Sequence, residues 1–110
     1  TDNSTQVVSI TLDELIQTPG CEAGLIKVDI EGYEYFAFEG GKETLSKPQA
    51  PDIYFEFVDW CEKAAGLEPG SSQRVLQSYG YKLYERVGNR LNKLESVVVS
   101  GSKMLFATKS

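Results

Sequence analysis

The chain has 110 residues, 41% of them hydrophobic and 11% aromatic, which suits one compact domain with a modest core and argues against disorder. Its net charge of −5 argues against a nucleic-acid surface, since phosphate binding draws on excess Lys and Arg, and against attraction to anionic lipids. Every apolar run is too short to span a bilayer, and with no histidine any acid–base chemistry falls to carboxylates, lysine, tyrosine or cysteine.

In chain order, residues 7–10 read as a short apolar strand, and Thr11 with Glu14 forms a capping box that opens a helix running to about Gln17. Pro19-Gly20 stops it. In the segment LIKVDIEGYE, residues 25–34, Ile26, Val28 and Ile30 alternate with Lys27, Asp29 and Glu31 at the period of a strand. A wholly buried charged face is costly, which puts the acids near the strand's carboxyl end, where ligands collect in open α/β sheets. Tyr33, Phe36, Ala37 and Leu45 follow at helical spacing, with Gly40-Gly41 breaking or bending the helix and Glu34 as a solvated first-turn acid.

Pro48 and Pro51 frame a linker into a strand at 53–58, whose aromatic residues Tyr54, Phe55 and Phe57 are expected in the core. Trp60 lies just past it. Residues 66–72 read as a loop, Ser72 as the cap of a helix striped by Val75, Leu76 and Tyr79, and Gly80 as its end. A strand at 81–87, a turn at Gly88-Asn89 and a last strand at 103–108 complete the chain, with 97–99 extending or preceding that strand. This order predicts an α/β fold in a single domain over residues 1–110, with parallel pairing that ends in an antiparallel hairpin and helices packed on the sheet. Cys21 and Cys61 are read as reduced thiols, with pairing in an oxidising compartment as the alternative; without histidine they make no zinc pattern.

The run from Lys27 to Glu34, KVDIEGYE, resembles the central K-I-D-V-E-G-x-E signature of FkbM-type methyltransferases. Thr11-Leu12-Asp13-Glu14-Leu15 resembles that family's T-L-D-x-L segment, Phe38-Glu39-Gly40-Gly41 its L-x-G-A turn, Pro51 to Glu56 its following strand, and Gly80-Tyr81 the opening of a later one. The likeness extends from about Val7 to Thr108. It implies a partial Rossmann-like methyltransferase sheet with an antiparallel last strand inserted, and S-adenosylmethionine as cofactor. The family's Gly-rich strand-to-helix turn has no counterpart in these residues, so the chain is expected to be the carboxyl-terminal half of such a domain, with unknown cofactor-binding residues and little activity alone.

Methyl transfer to a hydroxyl needs the acceptor oxygen oriented and its proton removed, which carboxylates can do. By resemblance, Asp29 is expected nearest the reacting centre, Glu31 as a loop-ordering or acceptor-binding group, Glu56 as base or metal partner, and Trp60 as a substrate contact. The structural alternatives are that Asp29 and Glu31 accept backbone N–H groups near Tyr33, and that Glu56 pairs with Lys27. Three functions stay open: a methyltransferase acting on a hydroxyl of a sugar or other small molecule, a non-catalytic module or half-domain that pairs with a partner, and a metal-dependent nuclease. The last rests on Pro51-Asp52 and Glu56, with Val58 where that motif has lysine. A cytoplasmic setting fits an adenosyl cofactor and free thiols. The cut edge of strand 25–30 predicts self-association, or protection by residues 7–10.

Overall fold

A computed structural model describes residues 11–17 and 24–110. The expected strand at 7–10, the Pro19-Gly20 stop and Cys21 lie outside them. The described elements are α1 (Leu12–Ile16), β1 (Leu25–Val28), α2 (Glu34–Glu39), α3 (Lys42–Leu45), β2 (Asp52–Val58), α4 (Asp59–Ala64), α5 (Ser71–Ser78), β3 (Lys82–Val87), β4 (Arg90–Lys93) and β5 (Ser102–Thr108).

The local signals explain most of the boundaries. Thr11 caps α1 in a reciprocal capping box with Glu14. Gly40 and Gly41 separate α2 from α3, and a Cβ at Gly41 would stand 2.9 Å from Leu12 and 3.1 Å from Leu45, so the break also lets α1 close on α3. Asp13 secures that contact by accepting the N–H groups of Glu43 and Thr44 at 3.1 and 2.8 Å. Its carboxyl lies below its usual range: partial burial opposes ionisation, and the hydrogen bonds from Thr44 and Glu43 outweigh it.

Two boundaries differ from expectation. Gly70, in the left-handed region at φ +100°, is the N-cap of α5, and Ser72 is the helix's second residue. Residues 97–99 form no strand; the amide of Gln73, fully buried in α5, donates to the Val98 carbonyl at 2.8 Å and accepts its N–H at 2.9 Å. One glutamine thus meets both backbone groups of Val98, as a neighbouring strand would.

The five-stranded sheet has the order β1-β2-β5-β3-β4. Only β1 with β2 is parallel; β2–β5, β5–β3 and β3–β4 are antiparallel. The expectation of mostly parallel pairing is therefore corrected: among the described residues the sheet is mostly antiparallel. The reason is the position of β5. It runs against both β2 and β3, which consequently point the same way without touching, and the inserted strand converts what would be one parallel ladder into two antiparallel ones. The turn at Gly88-Asn89 leads into β4, a strand absent from the sequence reading, because all four of its residues are exposed and carry no apolar alternation.

One face of the sheet carries the core. Ile53, Phe55 and Phe57 of β2, Leu105 and Ala107 of β5 and Leu83 of β3 meet Phe38 of α2, Leu45 of α3 and Leu76 of α5. Phe38 and Phe55 pack edge to face with ring centroids 5.3 Å apart. Tyr54 corrects the expectation of a wholly core aromatic strand, since alternation sends it to the opposite face, where it is half-buried. Among the described residues no helix is long and apolar enough to cross a membrane.

Candidate functional site

Past Val28 the chain makes a sharp corner. Glu31 sits at φ +49° and Gly32 at φ +99°, so a non-glycine residue and a glycine both occupy the left-handed region before α2 begins. Holding Glu31 there costs roughly 1–2 kcal/mol. The corner is fixed from two sides. Glu34, only 2% exposed, accepts the N–H of Ile30 at 3.1 Å through one carboxylate oxygen and that of Gly32 at 2.9 Å through the other. On the other side, Gly32 is pressed onto α4; a Cβ there would stand 2.3 Å from the Cys61 carbonyl oxygen.

Glu34 is thus not the solvated helix acid that its position suggested. It takes the clamping role considered for Asp29 and Glu31, which leaves those two exposed at the rim. The sequence carried a signal for this: a carboxylate two residues after a glycine corner is within reach of the corner's N–H groups. Glu34→Gln retains one carbonyl acceptor but turns an N–H₂ toward the second donor. We expect a loss of about 1–3 kcal/mol in urea unfolding, and a change below ~0.5 kcal/mol would show that the corner does not need the second oxygen.

Asp29, Glu31 and Glu56 line one cavity of about 290 Å³, with Trp60, Cys61 and Glu34 completing its wall. Glu56 reaches it because alternation along β2 turns it away from the core, and Asp29 reaches it by following Val28, which is paired with Phe55, the residue before Glu56. Trp60, 68% exposed on the first turn of α4, forms the outer lip. Helix α4 was not expected from the sequence, because one of its buried positions is Glu62 and the usual apolar stripe is missing.

Burial pushes the Cys61 thiol above its ordinary range, and the negative charges of Glu31, Glu34, Glu56 and Asp59 push it further. Cys61 is a free, buried thiol, and both effects disfavour its thiolate form. Asp59 has the opposite shift. Its carboxylate, accepting the N–H groups of Gly101 and Trp60 at 2.9 and 2.6 Å, lies below the usual range and ties α4 to the approach to β5.

A second, larger groove of about 840 Å³ runs along β1 beside α1 and α2. Its walls are mostly apolar, with Leu12, Leu15, Ile26, Ile30 and Phe36 prominent. Asp29 borders both this groove and the acidic cavity. The outer edge of β1 has no strand partner among the described residues.

Lys27 faces Tyr54 across the parallel ladder and makes no ion pair with Glu56; the ion pair found among the described residues joins Lys103 to Glu85 at 2.8 Å. No three carboxylates or thiols among the described residues are grouped as metal ligands. Asp52 and Glu56 stand four residues apart on β2, roughly 13 Å along a strand, and Asp52 does not reach the acidic cavity.

The sheet thus carries an acidic cavity at the end of its parallel strand pair, with an apolar groove beside it. The family model for the FkbM methyltransferase domain matches residues 1–83, and the chain belongs to that family. The match ends inside β3, so β4 and β5, which the sequence resemblance included as far as Thr108, lie beyond it. Searches of curated proteins and of solved structures found no match.

Proposed function

We propose that this chain carries the acceptor side of an O-methyltransferase that moves a methyl group from S-adenosylmethionine to a hydroxyl of a sugar or other small molecule. The observation that carries this reading is the position of Asp29 on the border between the apolar groove and the acidic cavity. When bound, S-adenosylmethionine supplies a methyl group activated by a positively charged sulfur. The groove fits such a cofactor: Ile26 and Ile30 offer apolar wall to an adenosyl group, and Asp29 offers negative charge beside a sulfonium.

The remaining roles belong to this chain's own side chains. Asp29 orients the acceptor hydroxyl by accepting its hydrogen bond, and Glu56, on the neighbouring strand, takes the proton as general base. Glu31, held in an uncommon backbone conformation at the rim, binds a second polar group of the acceptor. Strain of that kind is usually kept where a side chain must be aimed. Trp60 lays its exposed ring against the acceptor, as aromatic side chains do with sugar faces and other apolar patches.

The test is a transfer assay with methyl-labelled S-adenosylmethionine and a panel of hydroxylated acceptors, run on this chain and on any longer natural form of it. Label should pass to an acceptor hydroxyl, and Asp29→Asn should lower kcat by roughly 10²–10⁴-fold while leaving urea stability within about 0.5 kcal/mol. Full activity in that variant would remove Asp29 from the chemistry. A second reading, a half-domain that acts only beside a partner, is favoured by the outer edge of β1, which no strand among the described residues covers. Under it the chain alone transfers no label.

A further inference from the structure

The turn of the β3–β4 hairpin lies at the same end of the sheet as the acidic cavity. Both β2 and β3 run against β5, so their carboxyl ends coincide, and in open α/β sheets ligands collect there. Tyr54 of β2 and Tyr84 of β3 both stand opposite Phe106, which puts Glu56 and Arg86, each two residues further along, on one face. Two strand spacings, roughly 10 Å, separate them at the backbone. The Arg86 side chain crosses part of that gap, donating through Nη1 to the Tyr54 hydroxyl at 2.9 Å and through Nε to the Gly88 carbonyl at 3.0 Å. Both acceptors are neutral, and Arg86 makes no ion pair among the described residues. Its fork is thus held in place with most of its N–H groups still unmet by a described residue.

The turn itself, Gly88-Asn89 with Gly88 at φ +59°, pairs Val87 with Arg90 and so brings a second guanidinium to the same place. Arg86, Gly88, Asn89, Arg90 and Leu91 line a cavity of about 290 Å³, with no acid among the described residues of its wall. Both arginines are exposed, so a solute can reach them. The charge of the chain is unevenly spread: residues 82–93 hold Lys82, Arg86, Arg90 and Lys93 against Glu85 alone, and Glu85 is paired with Lys103. We propose that Arg86 and Arg90 bind the phosphoryl group of a phosphorylated sugar or polyol whose acceptor hydroxyl lies at Asp29 and Glu56. This rests on the methyl-transfer reading of those two acids and adds the class of acceptor. Two arginines fit a phosphate monoester, which approaches a double charge near neutral pH, better than a singly charged carboxylate. The acids of the other cavity oppose it only weakly. Roughly 10 Å is the Debye length at about 0.1 M salt, so their repulsion arrives screened, while the guanidinium groups touch the phosphoryl oxygens directly. A sugar ring bridges such a span, with its hydroxyl at one end and its phosphate at the other.

The experiment titrates the whole chain with glucose 6-phosphate and glycerol 3-phosphate, with their neutral parents glucose and glycerol, and with inorganic phosphate. Calorimetry gives the affinities and amide resonances give the location. At least one ester is expected to bind about tenfold more tightly than its neutral parent and than inorganic phosphate, and to shift residues 86–91 together with Asp29 and Glu56. Arg86→Gln should weaken that ester about tenfold and leave the neutral parent unaffected, and adding Arg90→Gln should abolish the preference. Tyr54→Phe, which frees the Arg86 fork, should weaken it about threefold. Several results overturn the proposal: no binding of either ester, equal affinity for ester and parent, inorganic phosphate bound as tightly as the ester, shifts that spare the hairpin, or no effect of the double substitution. Ester binding with these shifts but without transfer of label supports the phosphoryl site and removes the methyl-transfer reading. Transfer of label to neutral acceptors by a chain with no preference for the esters does the reverse.

Discussion

Replacing Gly32 with alanine is expected to lower the free energy of unfolding by about 3–5 kcal/mol. Two penalties combine. A side chain at φ +99° is strained whatever the space around it, and the new Cβ would stand 2.3 Å from the Cys61 carbonyl oxygen, which is backbone and cannot rotate away. Relief requires α4 to move off the corner, and that movement opens the cavity between Glu31 and Trp60. Urea unfolding gives the first effect as a lower midpoint with an unchanged slope. A loss below ~1 kcal/mol would mean that the corner and α4 are not in contact as described.

Glu62→Ala, on the same helix that the corner presses against, is expected to cost about 3–5 kcal/mol. Glu62 is 1% exposed, and its carboxylate accepts the Gly70 N–H at 2.7 Å and the Ser72 hydroxyl. One buried acid thereby joins α4 to the first turn of α5. Alanine leaves a buried N–H and a buried hydroxyl without an acceptor and opens a void beside them. Glu62→Gln, nearly the same size, keeps one oxygen and should lose less than half as much. If alanine and glutamine proved equally mild, the carboxylate would be contributing packing alone.

How much of this could be read from the residues depends on whether the forces involved are local. The capping box at Thr11, the break at Gly40-Gly41, the turn at Gly88-Asn89 and strand β2 follow from side chains acting within a few positions of themselves. The elements that were missed rest on distant partners. Strand β4 is exposed throughout, so pairing with β3 makes it a strand. Helix α4 buries a glutamate whose partners lie eight and ten residues away. The direction of most ladders depended on where β5 enters the sheet, which no spacing within β5 reveals.

The candidate site divides in the same way. The run from Lys27 to Glu34 announced Asp29 and Glu31, and Glu56 followed from the expectation of neighbouring strands. Glu34 was misjudged because first-turn acids usually face water, whereas here the corner folds back over the helix and buries it. Cys61 was weighed for disulfide and zinc roles, and its place in the cavity wall follows from an unanticipated helix.

Because β5 lies between β2 and β3, the sheet has a keystone that comes later in the sequence than each of the strands it joins. During synthesis the β3–β4 hairpin has no place beside β2 until residues 102–108 have left the ribosome, so the inner edge of β3 waits for them. A polypeptide ended at Leu83, where the family match stops, would keep the corner and its acids but lack the strand that locks the aromatic core of β2 in place.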